Sequence, residues 1–253
     1  MNVNPARMTA FHDLEPELED FETAVVTGLS DTPKTLPCKF FYDLEGSRLF
    51  DLICELPEYY PTRTEIVLLE TRAVEMAALM GPHCHVIEFG SGSSIKIKTL
   101  LNAMEAPAAC TAVDISRDHL IASTEDLAGE YPDVEITAIC ADYTQPFDVT
   151  PPKSHPDARR VGFFPGSTIG NFSPDEAVQF LSKAADLLSG GDFLIGVDLK
   201  KDKGRLEAAY DDSQGVTAAF NLNLLTRINR ELDGDFQLDG FAHQAFYNET
   251  PGR

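Results

Sequence analysis

Val86-Ile87-Glu88-Phe89-Gly90-Ser91-Gly92-Ser93-Ser94-Ile95-Lys96 is the stretch that decides how this chain folds. Val86, Ile87 and Phe89 are the apolar, β-prone residues of a buried strand, with one acid, Glu88, near its end. Gly90 and Gly92 let the backbone turn sharply and approach a ligand closely. From Ile95 to Leu101 the residues read as the opening turns of a helix, whose free N–H groups face that turn. A strand, a glycine turn and a helix in this order predict a nucleotide-type site at the carboxyl end of a parallel sheet.

Downstream the alternation continues. Ala109 to Val113 reads as a second strand ending on Asp114, followed by a helix that Ser116 can cap and that bears Leu120, Ile121, Thr124 and Leu127. Val134 to Cys140 is a third strand, ending on Asp142. Gln145 to Arg159, with four prolines, predicts a loop that crosses to the other half of the sheet. Val161 to Phe164 is a fourth strand. Ser173-Pro174-Asp175-Glu176 then combines a Ser cap, Pro at the first helical position and Glu three residues after the cap. The spacing of Val178, Leu181, Ala185 and Leu188 predicts that helix's buried stripe, Gly190-Gly191 ends it, and Phe193 to Leu199 is a fifth strand. Strands alternating with helices imply a parallel sheet with right-handed crossovers.

Upstream, the acidic residues 1–36 suggest a short helix near Glu15 to Leu29. Leu49, Phe50, Ile53 and Leu56 have helical spacing, and Pro57 stops that helix. Thr62-Arg63-Thr64-Glu65 reads as a capping box opening a helix with Ile66, Leu69, Ala73, Ala77 and Met80, which Gly81-Pro82 ends. At the other end residues 203–233 are helical, with Leu206, Ala209 and Tyr210 in one piece and Phe220, Leu224 and Ile228 in another. Phe241 to Asn248 reads as a late strand.

Composition narrows the function. The formal net charge of −21 argues against a nucleic-acid partner, and Arg159–Arg160 and Lys200–Lys201 are too short to form a basic face. No apolar run approaches a membrane-spanning length, and Met1 to Pro16 lacks the order of a signal peptide. The five cysteines are widely spaced without a Cys-x-x-Cys pair, which favours free thiols in a reducing cytoplasm over disulfides or zinc. His85, His119 and His243 are scattered and suggest no metal site. The expectation is a cytoplasmic monomer acting on a small molecule.

Neighbouring residues decide which cofactor the glycine turn holds. The third glycine of a dinucleotide fingerprint is replaced here by Ile95, which weighs against a pyrophosphate ligand. A ligand without phosphates needs no third glycine, and S-adenosylmethionine is the commonest of that kind. Asp114 can accept two hydrogen bonds from ribose hydroxyls. Asp142 can bond the adenine amino group, and Tyr143 can lie on the ring. Strand-end Asp residues often do no more than start turns. Acids at three successive strand ends, Glu88, Asp114 and Asp142, favour the ligand reading. Lys96, a cation in the first turn of a helix, opposes the helix dipole by about 0.3–1 kcal/mol. It therefore suggests a nearby anion, for which the methionine carboxylate of the cofactor would serve; the alternative is a solvated lysine with Glu88 or the C-terminal end of another element nearby.

Two longer segments carry a family resemblance. Lys39-Phe40-Phe41-Tyr42-Asp43-Leu44-Glu45-Gly46-Ser47-Arg48-Leu49-Phe50 and Leu56-Pro57-Glu58-Tyr59-Tyr60-Pro61-Thr62-Arg63-Thr64-Glu65 resemble the N-terminal signature of the histidine-specific Nα-methyltransferases, which form hercynine in the ergothioneine pathway. Gly90 to Lys96, Gly166-Ser167-Thr168-Ile169-Gly170-Asn171, Ala209-Tyr210-Asp211-Asp212 and the helix from Phe220 to Leu232 match in the same order. The resemblance implies a Rossmann-like class I methyltransferase sheet with a second, smaller substrate-binding domain. It assigns residues 1–61 and 200–253 to the substrate-binding domain and 62–199 to the cofactor-binding domain. S-adenosylmethionine is then the methyl donor and L-histidine the acceptor. Gly90, Lys96, Asp114, Asp142 and Tyr143 match the family's cofactor contacts. Asn171 and Tyr210 match residues on the histidine carboxylate, Tyr59 lies towards the imidazole, and Tyr42 sits near the amine. Family members continue beyond Asn248 through further strands that bring an acid and a serine to the imidazole, so a C-terminally truncated chain is expected. Two other readings stay open: methylation of another amino acid or an aromatic amine, and an inert cofactor-binding relative.

Overall fold

The computed structural model describes residues 8–14, 21–92 and 94–253. Glu15 to Asp20 of the expected first helix, much of the segment read for a leader, and Ser93 of the glycine turn lie outside them. The chain divides into two compact units, one made of Met1–Pro16 and Thr64–Asp198, the other of Glu17–Arg63 and Leu199–Arg253.

The first unit is built on six parallel strands: β1 (Ala10–Asp13), β2 (His85–Phe89), β3 (Ala109–Asp114), β4 (Glu135–Cys140), β5 (Arg160–Phe164) and β6 (Asp192–Ile195). Their order across the sheet is β1-β4-β3-β2-β5-β6. The chain thus steps outward from β2 to β4, returns through the Gln145–Arg159 loop to β5 on the other side of β2, and continues to β6. The reversal between β2 and β5 is a topological switch point, where ligands of such sheets bind at the carboxyl ends of the strands. This is the parallel sheet that the alternation implied and the Rossmann-like architecture that the resemblance implied. The short edge strand β1, which pairs with β4, has too little pattern to be seen in the sequence.

Successive residues of β2 point to opposite faces of the sheet. Val86 packs with Leu69, Ala77 and Met80 of α3 (Tyr60–Met80), Ile97 and Leu100 of α4 (Ile95–Ala103) and Leu127 of α5 (Arg117–Glu130). Ile87 and Phe89 pack on the other face with Phe164 and with Phe180, Ala184 and Leu188 of α6 (Pro174–Leu188). The buried stripe of α6 therefore differs from the expected one. Leu188 is common to both, but Val178 is 67 % and Leu181 38 % exposed. Both stripes have helical spacing. The large Phe180 ring selects its own, sitting 4.6 Å from the Phe164 ring and 5.6 Å from that of Phe89.

The capping box that opens α6 is formed, with Ser173 N donating to Glu176 Oε2 at 2.7 Å and Glu176 N to Ser173 Oγ at 3.4 Å. The other expected box is not. Helix α3 starts at Tyr60, so Thr62 already lies in its first turn and donates to Cys54 Sγ at 3.4 Å, while Glu65 turns elsewhere. Pro61, suited to a first helical turn, is the signal that the helix begins earlier. Ser116 occupies the N-cap of α5 without a side-chain cap bond, and the Asp114 carboxylate accepts from Ser116 N instead.

The second unit is helical. It contains α1 (Phe21–Ser30), α2 (Leu44–Glu55), α7 (Lys203–Tyr210) and α8 (Val216–Glu231). One core joins Leu49, Ile53, Tyr59, Tyr60, Ala209 and Phe220, and another joins Ala24, Val25, Phe40, Leu224 and Ile228. The fifth strand is shorter than expected, ending at Ile195. Phe241 to Asn248 is not a strand: it pairs with no ladder, and Phe246 is 72 % exposed. Apolar alternation alone does not make a strand where no sheet edge accepts its backbone.

Candidate functional site

The glycine turn follows β2 as expected. Gly90 has φ +79°, and its N–H donates to Val113 O at 2.8 Å, tying the turn to the end of β3. That backbone conformation favours glycine over any other residue. A Cβ placed on Gly92 would meet nothing within 4 Å, so the space beside the turn is open there.

The three strand-end acids take different roles. Glu88 is 2 % exposed and accepts from Ser91 Oγ at 2.8 Å. Burial pushes its pKa up to about 7, although Ser91 and the nearby Lys96 oppose that. Asp114, at the end of β3, uses Oδ1 to accept from Ser116 N at 2.8 Å, and burial raises its pKa as well. Asp142, beyond β4, accepts at Oδ1 from Thr144 N at 2.9 Å and Thr144 Oγ1 at 2.6 Å. These are the local turn bonds of strand-end acids, and both acids lie at the same carboxyl end of the sheet as the glycine turn. The Tyr143 ring packs edge-on to Phe164 and Phe180 at 5.8 Å, and its edge comes within 3.7 Å of a Cβ built on Gly90. The structure thus gathers Gly90, Asp114, Asp142 and Tyr143 at the carboxyl ends of neighbouring strands. A glycine turn, strand-end carboxylates and an aromatic side chain gathered in this way fit S-adenosylmethionine.

Lys96 has a protein anion as partner, and that anion is Glu65 rather than Glu88. Lys96 Nζ lies 2.7 Å from Glu65 Oε2, with both side chains 15 % exposed. Glu65 also accepts from Gly166 N at 2.9 Å through each oxygen. Sequence reading missed this residue because its motif assigned the carboxylate to the helix start.

Gly166 opens the turn after β5. Gly166 and Ser167 have φ of +82° and +56°, two left-handed residues in succession. Ser167 Oγ accepts from Asp198 N at 2.9 Å, and Thr168 Oγ1 donates to Pro165 O at 2.9 Å. A 3-10 turn, Thr168–Asn171, follows and presents Asn171 as an exposed residue. Non-glycine residues in the left-handed region concentrate at functional sites.

Tyr59 and Tyr210 belong to the helical unit, where their rings meet at 5.8 Å and 87°. Tyr59 is buried, whereas Tyr210 ends α7 half-exposed. Tyr42 packs edge-on to Phe50 at 5.6 Å and Phe220 at 5.5 Å. His243 Nε2 lies 2.7 Å from Tyr210 O. Asp212 fixes the turn after Tyr210: its carboxylate accepts from Val216 N at 3.0 Å and Thr217 N at 2.7 Å, capping α8. His85 is buried in β2, and burial lowers its pKa to about 4, so it is a neutral core residue. Among the described residues no three His, Cys, Asp or Glu side chains are grouped to hold a metal ion, and no helix is long and apolar enough to cross a membrane.

Comparison with known proteins adds the chemistry. A family model described as histidine-specific methyltransferase, SAM-dependent, matches residues 21–253. The histidine N-alpha-methyltransferase of Mycolicibacterium smegmatis is 46 % identical over 233 residues, covering 90 % of this chain and 71 % of that protein. Its counterpart in Mycobacterium tuberculosis is 43 % identical over the same shares. Ergothioneine biosynthesis protein 1 of Neurospora crassa is 32 % identical over 238 residues, covering 87 % of this chain and 27 % of that longer protein.

Proposed function

The chain belongs to the histidine-specific, S-adenosylmethionine-dependent methyltransferases, and from that premise we propose that it methylates the α-amine of L-histidine to form hercynine, the Nα-trimethylated betaine of the ergothioneine pathway. The observation that carries this is the 46 % identity to a histidine N-alpha-methyltransferase over 90 % of the chain. The strand-end carboxylates and glycine turn at the switch point of the sheet support the donor site independently.

When bound, S-adenosylmethionine supplies an electrophilic methyl group on a sulfonium. In this reading Gly90 gives the donor a close backbone surface, Asp114 accepts from its ribose hydroxyls, and Asp142 and Tyr143 bracket its adenine. Lys96 faces its carboxylate. Asn171 and Tyr210 hold the carboxylate of histidine, Tyr59 faces its imidazole, and Tyr42 lies towards the amine. Tyrosine and asparagine bind a zwitterion with directed hydrogen bonds while staying neutral. The chain's contribution to rate is orientation and proximity. The amine attacks only when neutral, so each transfer requires loss of a proton, and turnover rises with pH through the amine's titration. The sheet unit then supplies the donor contacts and Asn171, and the helical unit the three tyrosines for the acceptor. The thiols and the strongly negative surface favour a cytoplasmic monomer that does not bind nucleic acid.

The test is incubation with S-adenosylmethionine and L-histidine, with products followed by mass spectrometry. Mono-, di- and trimethylhistidine are expected in sequence. Methylation of L-tryptophan or another amine in preference to histidine would replace the acceptor, and donor binding without any product would favour an inert relative.

A further inference from the structure

Glu65 stands between the two halves of the reaction described above. Its carboxylate reaches Lys96, in the first turn of the helix behind the glycine turn, and the Gly166 peptide, which begins the turn leading to Asn171. The backbone around it is shaped to admit it. Gly166 is left-handed at φ +82°, and Lys96 Nζ lies 3.4 Å from where a Cβ on Gly166 would be. A Cβ on Gly196, just past β6, would collide with Glu65 Oε1. Three elements from separate parts of the chain thus close around one carboxylate at the switch point between β2 and β5.

We propose that Glu65 is a positioning residue that couples the donor and acceptor sites, aiming Lys96 Nζ at the donor's carboxylate while locking the Gly166–Asn171 turn that presents Asn171 to histidine. This deepens the assignment of Lys96 and Asn171 above and rests on it. The two bonds are separable. A glutamine at 65 keeps an oxygen to accept from Gly166 N but offers no charge to Lys96, so the lysine loses its guide while the turn keeps its lock. An alanine removes both. A charged hydrogen bond contributes about 1.5–3 kcal/mol, which corresponds to roughly tenfold or more in an equilibrium constant.

The experiment compares wild type, E65Q, E65A and K96M, each checked for folding by circular dichroism. Donor affinity is read by calorimetry with S-adenosylmethionine, and KM for histidine and kcat from product formation. E65Q is expected to weaken donor binding about tenfold with the histidine KM within about twofold of wild type, whereas E65A raises both constants and lowers kcat. In E65Q/K96M the donor affinity should match that of K96M alone, because both changes remove the same contact. Wild-type donor affinity in E65Q, or equal effects of E65Q and E65A on the histidine KM, would overturn the proposal. If E65A does not fold, E65Q and the double variant decide. Should wild type fail to methylate histidine, the proposed acceptor falls, while the donor-binding comparison still tests the Glu65–Lys96 link.

Discussion

Glu88 and Asp114 lie near the carboxyl ends of the neighbouring strands β2 and β3, and their chemistry diverges. Asp114 accepts from the Ser116 N–H, and in the proposed reading its carboxylate also accepts from the donor's ribose hydroxyls. Its replacement by alanine is expected to reduce S-adenosylmethionine binding below detection by calorimetry without unfolding the protein; unchanged affinity would mean that the ribose lies elsewhere. Glu88 is completely enclosed, with a pKa near 7 against an ordinary carboxylate value of 4.5. Between those values the folded protein keeps a proton that the unfolded chain releases, so stability declines as pH rises from about 4.5 to 7 and then levels off. E88Q has no such proton. Denaturant unfolding without ligand should show E88Q gaining on wild type by on the order of 3 kcal/mol between pH 4 and pH 8. Parallel curves for the two proteins would show that Glu88 is ionised throughout. The acids themselves were legible in the sequence because strand ends are local features. Glu65 was not, since its partners at Lys96 and Gly166 are contacts across the fold that no local spacing records.

Helix starts divide into those written locally and those set by neighbours. The Ser173–Glu176 box forms as read because every group it needs lies within four residues. The Thr62–Glu65 pattern matches as a string but fails because α3 already begins at Tyr60. The start of α8 has no side-chain cap from Gly215 and relies on the buried Asp212. Burial works against the Asp212 carboxylate, but the bonds from Thr217 and the neighbouring backbone outweigh it and hold its pKa below the ordinary value. That contribution is present above the unfolded pKa of about 3.9 and is lost as pH falls below it. D212A should destabilise the protein by about 1–3 kcal/mol at pH 7, measured by urea unfolding, with a smaller gap below pH 3. A cost that does not change with pH would point to packing rather than to charge. The stripe of α6 shows the remaining limit of pattern reading: two stripes fit the same helical period, and only the aromatic cluster around Phe89 chooses between them.

Across the whole molecule 41 acidic residues face 20 basic ones. Such an excess repels itself in the compact state, and raising ionic strength from 0.01 to 0.15 M shortens the screening length from roughly 30 to 8 Å. The melting temperature should therefore rise by a few degrees over that range in scanning calorimetry; a fall would mean that specific ion pairs such as Lys96–Glu65 outweigh the general repulsion. That the sheet is parallel was readable from the alternation of strands and helices, whereas its full order was not, because strand β1 joins it from a region with little pattern; the chain divides into a sheet unit and a helical unit. That division also bears on synthesis. Thr64–Asp198 is one uninterrupted run, while the helical unit is split around it and needs Leu199–Arg253 to meet Glu17–Arg63. On the ribosome all six strands of the sheet are therefore synthesised before the second half of the helical unit, whose first half must wait for it to complete its core.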